Sequence, residues 1–376
     1  TGRTGSDFFQ SLLDSHPEVF VFNGWLFFHD FWDFAYTLKT DMPDTGDIVD
    51  EFIGHHIHKF KSRYDFKERK DQLGENADRS IDIDLLQFKA NILSLLDSRP
   101  LNSRNFLIAV YIAYASCVGQ NLESKHLFFH HVHHISKLDR FLEDFPNSKV
   151  ISMTRDPRAA YVSGVEHWRA YSPDNDHAEH ALIMLRRTII DAQALLDKPI
   201  NFRTLRLEDL GKRSILMEVC EWLGISYHSC MNNSTWGGLR WWGDRLSMSS
   251  IKVHEYGYSK SITKNDWRKA LGKVEQLELR YLLADRLAWF QYEKSIGIRA
   301  DLFFLCLFSI LFPGRYERRF LSPRYLLNAW KKRKYRHIVM AFICYPRRAI
   351  VFYQLLFRKL SGAHFRVPFF GMQRVK

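Results

Sequence analysis

Cysteine is scarce: Cys117, Cys220, Cys230, Cys306 and Cys344 are scattered over 376 residues, odd in number and without a CxxC pair. That argues against a disulfide framework and a zinc site, and leans toward a reducing compartment. No apolar run reaches about 18 residues, so no segment is expected to cross a bilayer. Internal repeats and low-complexity stretches are missing too. Acidic residues nearly vanish after residue 300, where 16 Lys and Arg face only Asp301 and Glu317. The tail is therefore +14 and the first 300 residues −2, so the overall +12 belongs to the tail. Near the start, Gly5 runs directly into Ser6, without the Lys that a Walker A loop sets before its Ser or Thr.

With 46% apolar residues the chain can bury a large core, and its length suits about two domains. The opening TGRTGSDFF places small and hydroxylated residues ahead of an apolar-periodic run predicted as a helix. Backbone N–H groups of such a loop and the positive end of the helix suit an anion. Arg3 adds a guanidinium fork matched to phosphate or sulfate. Farther on, KVISMTRDPRAAYVSG, Lys149 to Gly164, reads as a β-branched strand, a turn at Asp156-Pro157 and a helix with Pro157 at its first position. Arg155 and Ser163 would then face the carboxyl edge of a sheet, where open α/β folds bind ligands. A structural ion pair is the alternative role for Arg155. Two anion sites suit a ligand with two separated phosphates.

Together these stretches resemble the two nucleotide-binding signatures of the sulfotransferases that use 3′-phosphoadenylyl sulfate (PAPS). In that family the first loop holds the 5′-phosphosulfate, and an Arg and a Ser eight residues later hold the 3′-phosphate. Matched residue by residue, Arg3, Thr4, Gly5, Ser6 and Asp7 take the first role, and Arg155 and Ser163 the second. NFRTLRLEDL, Asn201 to Leu210, resembles a third landmark. Lys264-Asn265-Asp266-Trp267-Arg268 resembles a late stretch that covers the 3′-phosphate, which adds Lys264, Trp267 and Arg268. Asp7 departs from the many members with a hydroxyl there, and a carboxylate beside a phosphosulfate is awkward unless it turns away to cap the helix. Members also place a strand before the loop, so a segment ahead of Thr1 is expected. The resemblance implies an α/β, P-loop-like three-layer fold with a central parallel sheet over residues 1–298 and a lid around 227–262. It implies PAPS as donor, PAP as product, no metal, and a hydroxyl acceptor on a glycan or glycolipid.

Sulfuryl transfer needs a base for the hydroxyl proton, a role that suits a neutral imidazole. The family places it on the strand before the Arg-bearing one, where this chain has His130-His131-Val132-His133-His134. His131 or His133 is expected to be the base, with His130 assisting at the bridging oxygen. The alternative is a set of polar strand-end residues. Around the cluster, Leu127–Phe129 reads as a short buried strand and Ile135–Phe145 as an amphipathic helix. Residues 20–80 read as an aromatic and polar insertion shaping the acceptor side. Asp84–Asp97, Ala178–Leu196 and Ser214–Leu223 read as helices, the last stopped by Gly224, and Phe202–Leu207 as a strand. Phe106–Cys117 is either helix or strand. Glu208 and Asp209 are expected to cap the following helix, while Trp236, Trp241 and Trp242 either stack on ligand or form a local core.

In the tail, Leu302–Phe312 is too short to cross a membrane, about 17 Å as a helix against about 30 Å of hydrocarbon. Ser322-Pro323 starts a second helix followed by Lys331 to Lys334, and IVMAFICY and AIVFYQLLF flank Arg347-Arg348. Short apolar segments framed by cations predict that residues 299–376 form a basic helical region that meets an anionic membrane through 301–376. A second helical core is the alternative, and nucleic acid is not expected as a partner. The expected location is the cytoplasmic face of a membrane, or the Golgi lumen if an anchor precedes the chain. The oligomeric state stays open. Competing functions are a nucleotide-dependent phosphotransferase and a non-catalytic membrane-binding protein that keeps the fold.

Overall fold

The computed structural model describes residues 4–22, 26–37, 44–61, 72–171, 176–189, 195–198, 200–243, 257–258, 263, 267–297, 299–360 and 365–372. In chain order the elements are α1 (Ser6–Leu13), β1 (Val19–Val21), α2 (Phe28–Trp32), α3 (Thr45–Phe60), α4 (Leu85–Leu96), α5 (Ser103–Cys117), β2 (Leu127–Phe129), α6 (Leu138–Asp144), β3 (Lys149–Thr154), α7 (Pro157–Tyr171), α8 (Ala178–Ile189), β4 (Asn201–Arg206), α9 (Arg213–Leu223), β5 (Thr235–Trp236) and β6 (Leu239–Arg240). Then follow α10 (Trp267–Ala270), α11 (Lys273–Leu282), α12 (Ala284–Trp289), α13 (Ala300–Ser309), α14 (Arg315–Phe320), α15 (Pro323–Lys331) and α16 (Tyr335–Leu360). They fall into two units, one formed by Ser6–Lys149 and Leu210–Ser259, the other by Thr1–Gly5, Val150–Asp209 and Lys260–Lys376. Among the described residues the strands form three two-stranded sheets, β1–β2, β3–β4 and β5–β6. The helices and short parallel pairings make an α/β fold.

In the first unit β1 and β2 run parallel, with Phe20 opposite Phe128. Phe28, Phe31, Phe52, Phe60, Phe88 and Phe106 are all at most 2% exposed and form the centre of its core. The described part of residues 20–80 contributes to this core. It supplies β1 and the aromatic stripe of α3, where Ile48, Val49, Phe52 and Phe60 face in together with the buried His56 and Lys59. Asp84 starts α4 by accepting from the backbone N–H groups of Leu86 and Gln87, as a capping carboxylate should. Phe106–Cys117 resolves as helix, within α5. Strand β2 is only half-buried, with Phe128 40% exposed, and the helix predicted from Ile135 begins as a single 3₁₀ turn before α6. The β5–β6 hairpin turns through Gly237 and Gly238, both at positive φ, the conformation a two-residue hairpin loop requires.

In the second unit β3 pairs with β4, and Pro157 does occupy the first position of α7. The described part of helix α8 runs to Ile189, and the reading to Leu196 crosses residues 190–194, which lie outside the described ones. Residues 299–376 fold within this unit. Near their end they pair with β4: Thr204 N–H donates to the Pro368 carbonyl at 2.8 Å, and Phe370 N–H to the Thr204 carbonyl at 3.0 Å. The two apolar segments expected around Arg347 are one 26-residue helix, α16, that continues through Pro346. A proline removes one backbone bond and strains the preceding turn. Here the carbonyl deprived of its donor belongs to exposed Phe342, where water can satisfy it, and packing of the inner face holds the helix together.

Candidate active site

Helix α1 is anchored from below by the residues that follow it. Asp14, 4% exposed, accepts from Gly238 N–H at 2.7 Å, and burial raises its pKa. Fully buried His16 meets the Ser226 carbonyl at 2.9 Å, and Gln10 donates to the Phe22 carbonyl. These contacts hold the C-terminal half of α1, while Asp7 sits in its first turn. The Asp7 carboxylate lies 3.5 Å from Nδ1 of His131, a spacing that becomes an ion pair when the imidazole takes a proton.

The three candidate bases differ sharply in setting. His130 meets the Tyr111 hydroxyl at 2.9 Å and stacks on Phe141 at 5.0 Å and 6°. Burial, aided by His29 and His131, pushes its pKa down to about 3, so it stays neutral and locked. His133 is exposed and packs edge-on against Phe27 at 5.0 Å. His131 is 14% exposed, beside a carboxylate, with the His133 ring 5.6 Å away. A half-buried imidazole with a counter-charge is the best equipped of the three to accept a proton and hold it.

In the other unit Gly5 sits at φ +90°, where an added Cβ would lie 2.4 Å from Cδ1 of Leu207, the residue just after β4. Only glycine fits so close to the strand end, which leaves the loop backbone bare at this point. Thr4 is buried beside it, and Ser6 is the first residue of α1. Arg155 follows β3, is 5% exposed, and its charge acts on the Glu208 carboxylate. Ser163 lies half-buried on α7. The sequence profile of the sulfotransferase family matches residues 1–229, more than half of the chain. The chain belongs to the sulfotransferase family. Members usually draw the sulfuryl group from PAPS. No curated protein and no solved structure matches.

Other contacts of this sulfotransferase brace the elements around these residues. Glu208 and Asp209 do not cap α9. Glu208 accepts from the Asp156 N–H at 3.2 Å and from the Tyr292 hydroxyl at 2.9 Å, and burial raises its pKa. Asp209 pairs with Arg206. Glu208 thus pins the turn that carries Arg155, and Asp209 holds the end of β4. Arg158, which sequence patterning passed over, is 2% exposed, bonds both oxygens of Asp156, pairs with Glu293 and lies 4.2 Å over the Trp267 ring. Trp267 is buried, with Arg268 on its other contact at 4.4 Å. The only sequence sign of this clamp was Arg-Asp-Pro-Arg around the turn. Trp236 and Trp241 stack at 5.2 Å in a small core with Leu73, and Trp242 donates to the Gly74 carbonyl, so these tryptophans are local structure. Arg3, Lys264 and most of the 227–262 lid beyond Gly243 lie outside the described residues. Among the described residues, no three His, Cys, Asp or Glu side chains converge as a metal site.

Proposed function

We propose that this sulfotransferase moves SO₃ from PAPS to a hydroxyl of a glycan or glycolipid, on a P-loop-like three-layer scaffold, with His131 as base. The observation that carries the assignment is the Asp7–His131 pair at 3.5 Å. The acceptor oxygen attacks sulfur in line, forming the new O–S bond as the S–O bond to the leaving phosphate breaks. The hydroxyl proton passes to His131, and Asp7 stabilises the imidazolium. The bare backbone at Gly5, with Thr4, Ser6 and the positive end of α1, suits the 5′-phosphosulfate, and Arg155 with Ser163 suits the 3′-phosphate. His130, locked on Tyr111 and Phe141, serves the strand end more than the proton. The acceptor class rests on the family resemblance, since the tryptophans of the lid are local core.

Thermal-shift titration with PAP, ATP and ADP tests the donor assignment. A ligand at 100 times its Kd stabilises by about 2.7 kcal/mol. Stabilisation by PAP alone, lost in Arg155→Ala, is expected. A response confined to ATP would point to phosphoryl transfer, and no response at all to a non-catalytic protein.

A further inference from the structure

Large apolar side chains are not left exposed evenly. Of 23 that are exposed among the described residues, 14 lie between Phe304 and Leu360. On α16 the inner stripe Ala341, Cys344, Arg348, Phe352, Leu356 and Lys359 is buried against the unit, while Tyr335, Val339, Phe342, Ile343, Ile350 and Phe357 form an outward stripe. Helix α13 lies beside α16, tied by the Tyr353 hydroxyl to the Leu307 carbonyl at 2.8 Å and by Tyr345 to Leu311. It adds exposed Phe304, Leu305 and Phe308, followed by Leu311 and Phe312. Trp330 of α15, 62% exposed, meets Tyr335 at 5.3 Å and extends the strip past the start of α16. A soluble monomer seldom leaves so large an apolar patch bare.

The charge around this strip is mainly positive, and the exposed carboxylate of α13, Asp301, is paired with Arg299. Lys331, Lys332 and Arg333 are exposed beside Trp330, and Arg347 and Arg358 lie along the outer face of α16. Arg333 closes α15 at φ +54°, a left-handed position where glycine is the low-cost residue. The two cations that point inward are matched internally, Arg348 by Glu317 at 2.9 Å and Lys359 by Asp285 at 3.7 Å. An apolar strip edged with cations complements the acyl boundary and headgroups of an anionic bilayer.

We propose that residues 304–360 dock peripherally on an anionic phospholipid bilayer, with the outer faces of α13 and α16 in the headgroup–acyl boundary. By length and composition α16 qualifies as a membrane span. Its middle, however, holds Arg347 and the buried Arg348–Glu317 pair, and its inner face is part of the unit's core, so it lies along the surface instead. This proposal stands apart from the sulfuryl-transfer assignment.

Truncation is a poor test, because removing the tail would strip α16 from α8 and Phe369 from β4. The full chain is sedimented instead with vesicles of phosphatidylcholine alone or with 30% phosphatidylglycerol. Wild type should partition onto the anionic vesicles and be released by high salt. Exchanging Lys331, Lys332 and Arg333 for Gln should weaken partitioning by roughly 100-fold, at about 1 kcal/mol per cation. Arg333→Gly alone should weaken it about 5-fold with unchanged or higher Tm, which separates binding from folding. Phe308→Ser/Phe342→Ser/Phe357→Ser should abolish it while keeping the wild-type circular dichroism spectrum. Three results overturn the proposal: no binding of wild type to either vesicle; resistance to salt and alkaline extraction, as for a spanning helix; or self-association in ultracentrifugation that the triple Ser variant abolishes, which would mean a second copy covers the strip.

Discussion

Replacing Asp7 by Asn keeps the shape of the first turn of α1 and removes the charge 3.5 Å from His131. At that spacing two unit charges interact by about 1.2 kcal/mol in bulk water and about twice that at half its dielectric. Asp7 is 45% exposed and His131 14%, so water screens the pair substantially and about 1–2 kcal/mol is the fair range. The imidazolium forms as sulfur changes partners, so this stabilisation applies in the transition state and the loss appears in kcat, by about 5- to 30-fold. The acid limb of the kcat profile should move to lower pH, because the imidazolium has lost its counter-charge. Affinity for PAP should hold or improve, since a carboxylate next to the phosphosulfate loop has gone. Steady-state assays from pH 5.5 to 8.5 on wild type, Asp7→Asn, His131→Ala and the double variant form the cycle. His131→Ala alone should cost about 10²–10⁴-fold, and adding Asp7→Asn should then change little. Additive losses, or an unmoved acid limb, would refute the coupling.

Gly5→Ala should destabilise the protein by about 1–3 kcal/mol through its left-handed backbone, with a further cost from the Leu207 contact. Adding Leu207→Ala should relieve the contact but not the backbone strain, so a double variant matching wild type in Tm would contradict this account. Acid should weaken the fold before carboxylates titrate. Burial holds His56 and His130 at about 3, below the ordinary 6.5 of an unfolded chain. Their contribution is complete above pH 6.5 and is lost as pH falls toward 3, at up to about 1.4 kcal/mol per pH unit for each. Urea unfolding at pH 7, 6 and 5 should show the decline, and a flat profile over that span would count against both histidines.

The β3–α7 segment was legible because three local signals agree there: β-branched residues, a Pro fit for a helix start and a polar turn. Gly224 was equally readable, since a C-cap acts through its own neighbours. The core contribution of residues 20–80 was not read from the sequence, because their charges dominate composition while the core depends on which helix face packs inward. The continuity of α16 through Pro346 depends on tertiary packing that outweighs local preference. In the site, Arg155, Ser163 and the Gly5 loop came from motif spacing. The choice among His130, His131 and His133 did not, because it turns on Tyr111, Phe141 and Asp7, which are remote in sequence. Arg158 was missed, and Glu208 was given a capping role it does not have, for the same reason.

The pairing of Thr204 with Pro368 and Phe370 has a consequence for how the chain is made. The strand leading to Leu207, against which Gly5 packs, gains this edge contact only after some 165 more residues have been synthesised. At about 5–20 residues per second that is roughly 8–33 s, during which the Arg155 half of the protein is on the ribosome without its last β-contact. Folding of this half is therefore expected to finish late, only after α13 and α16 have themselves been made.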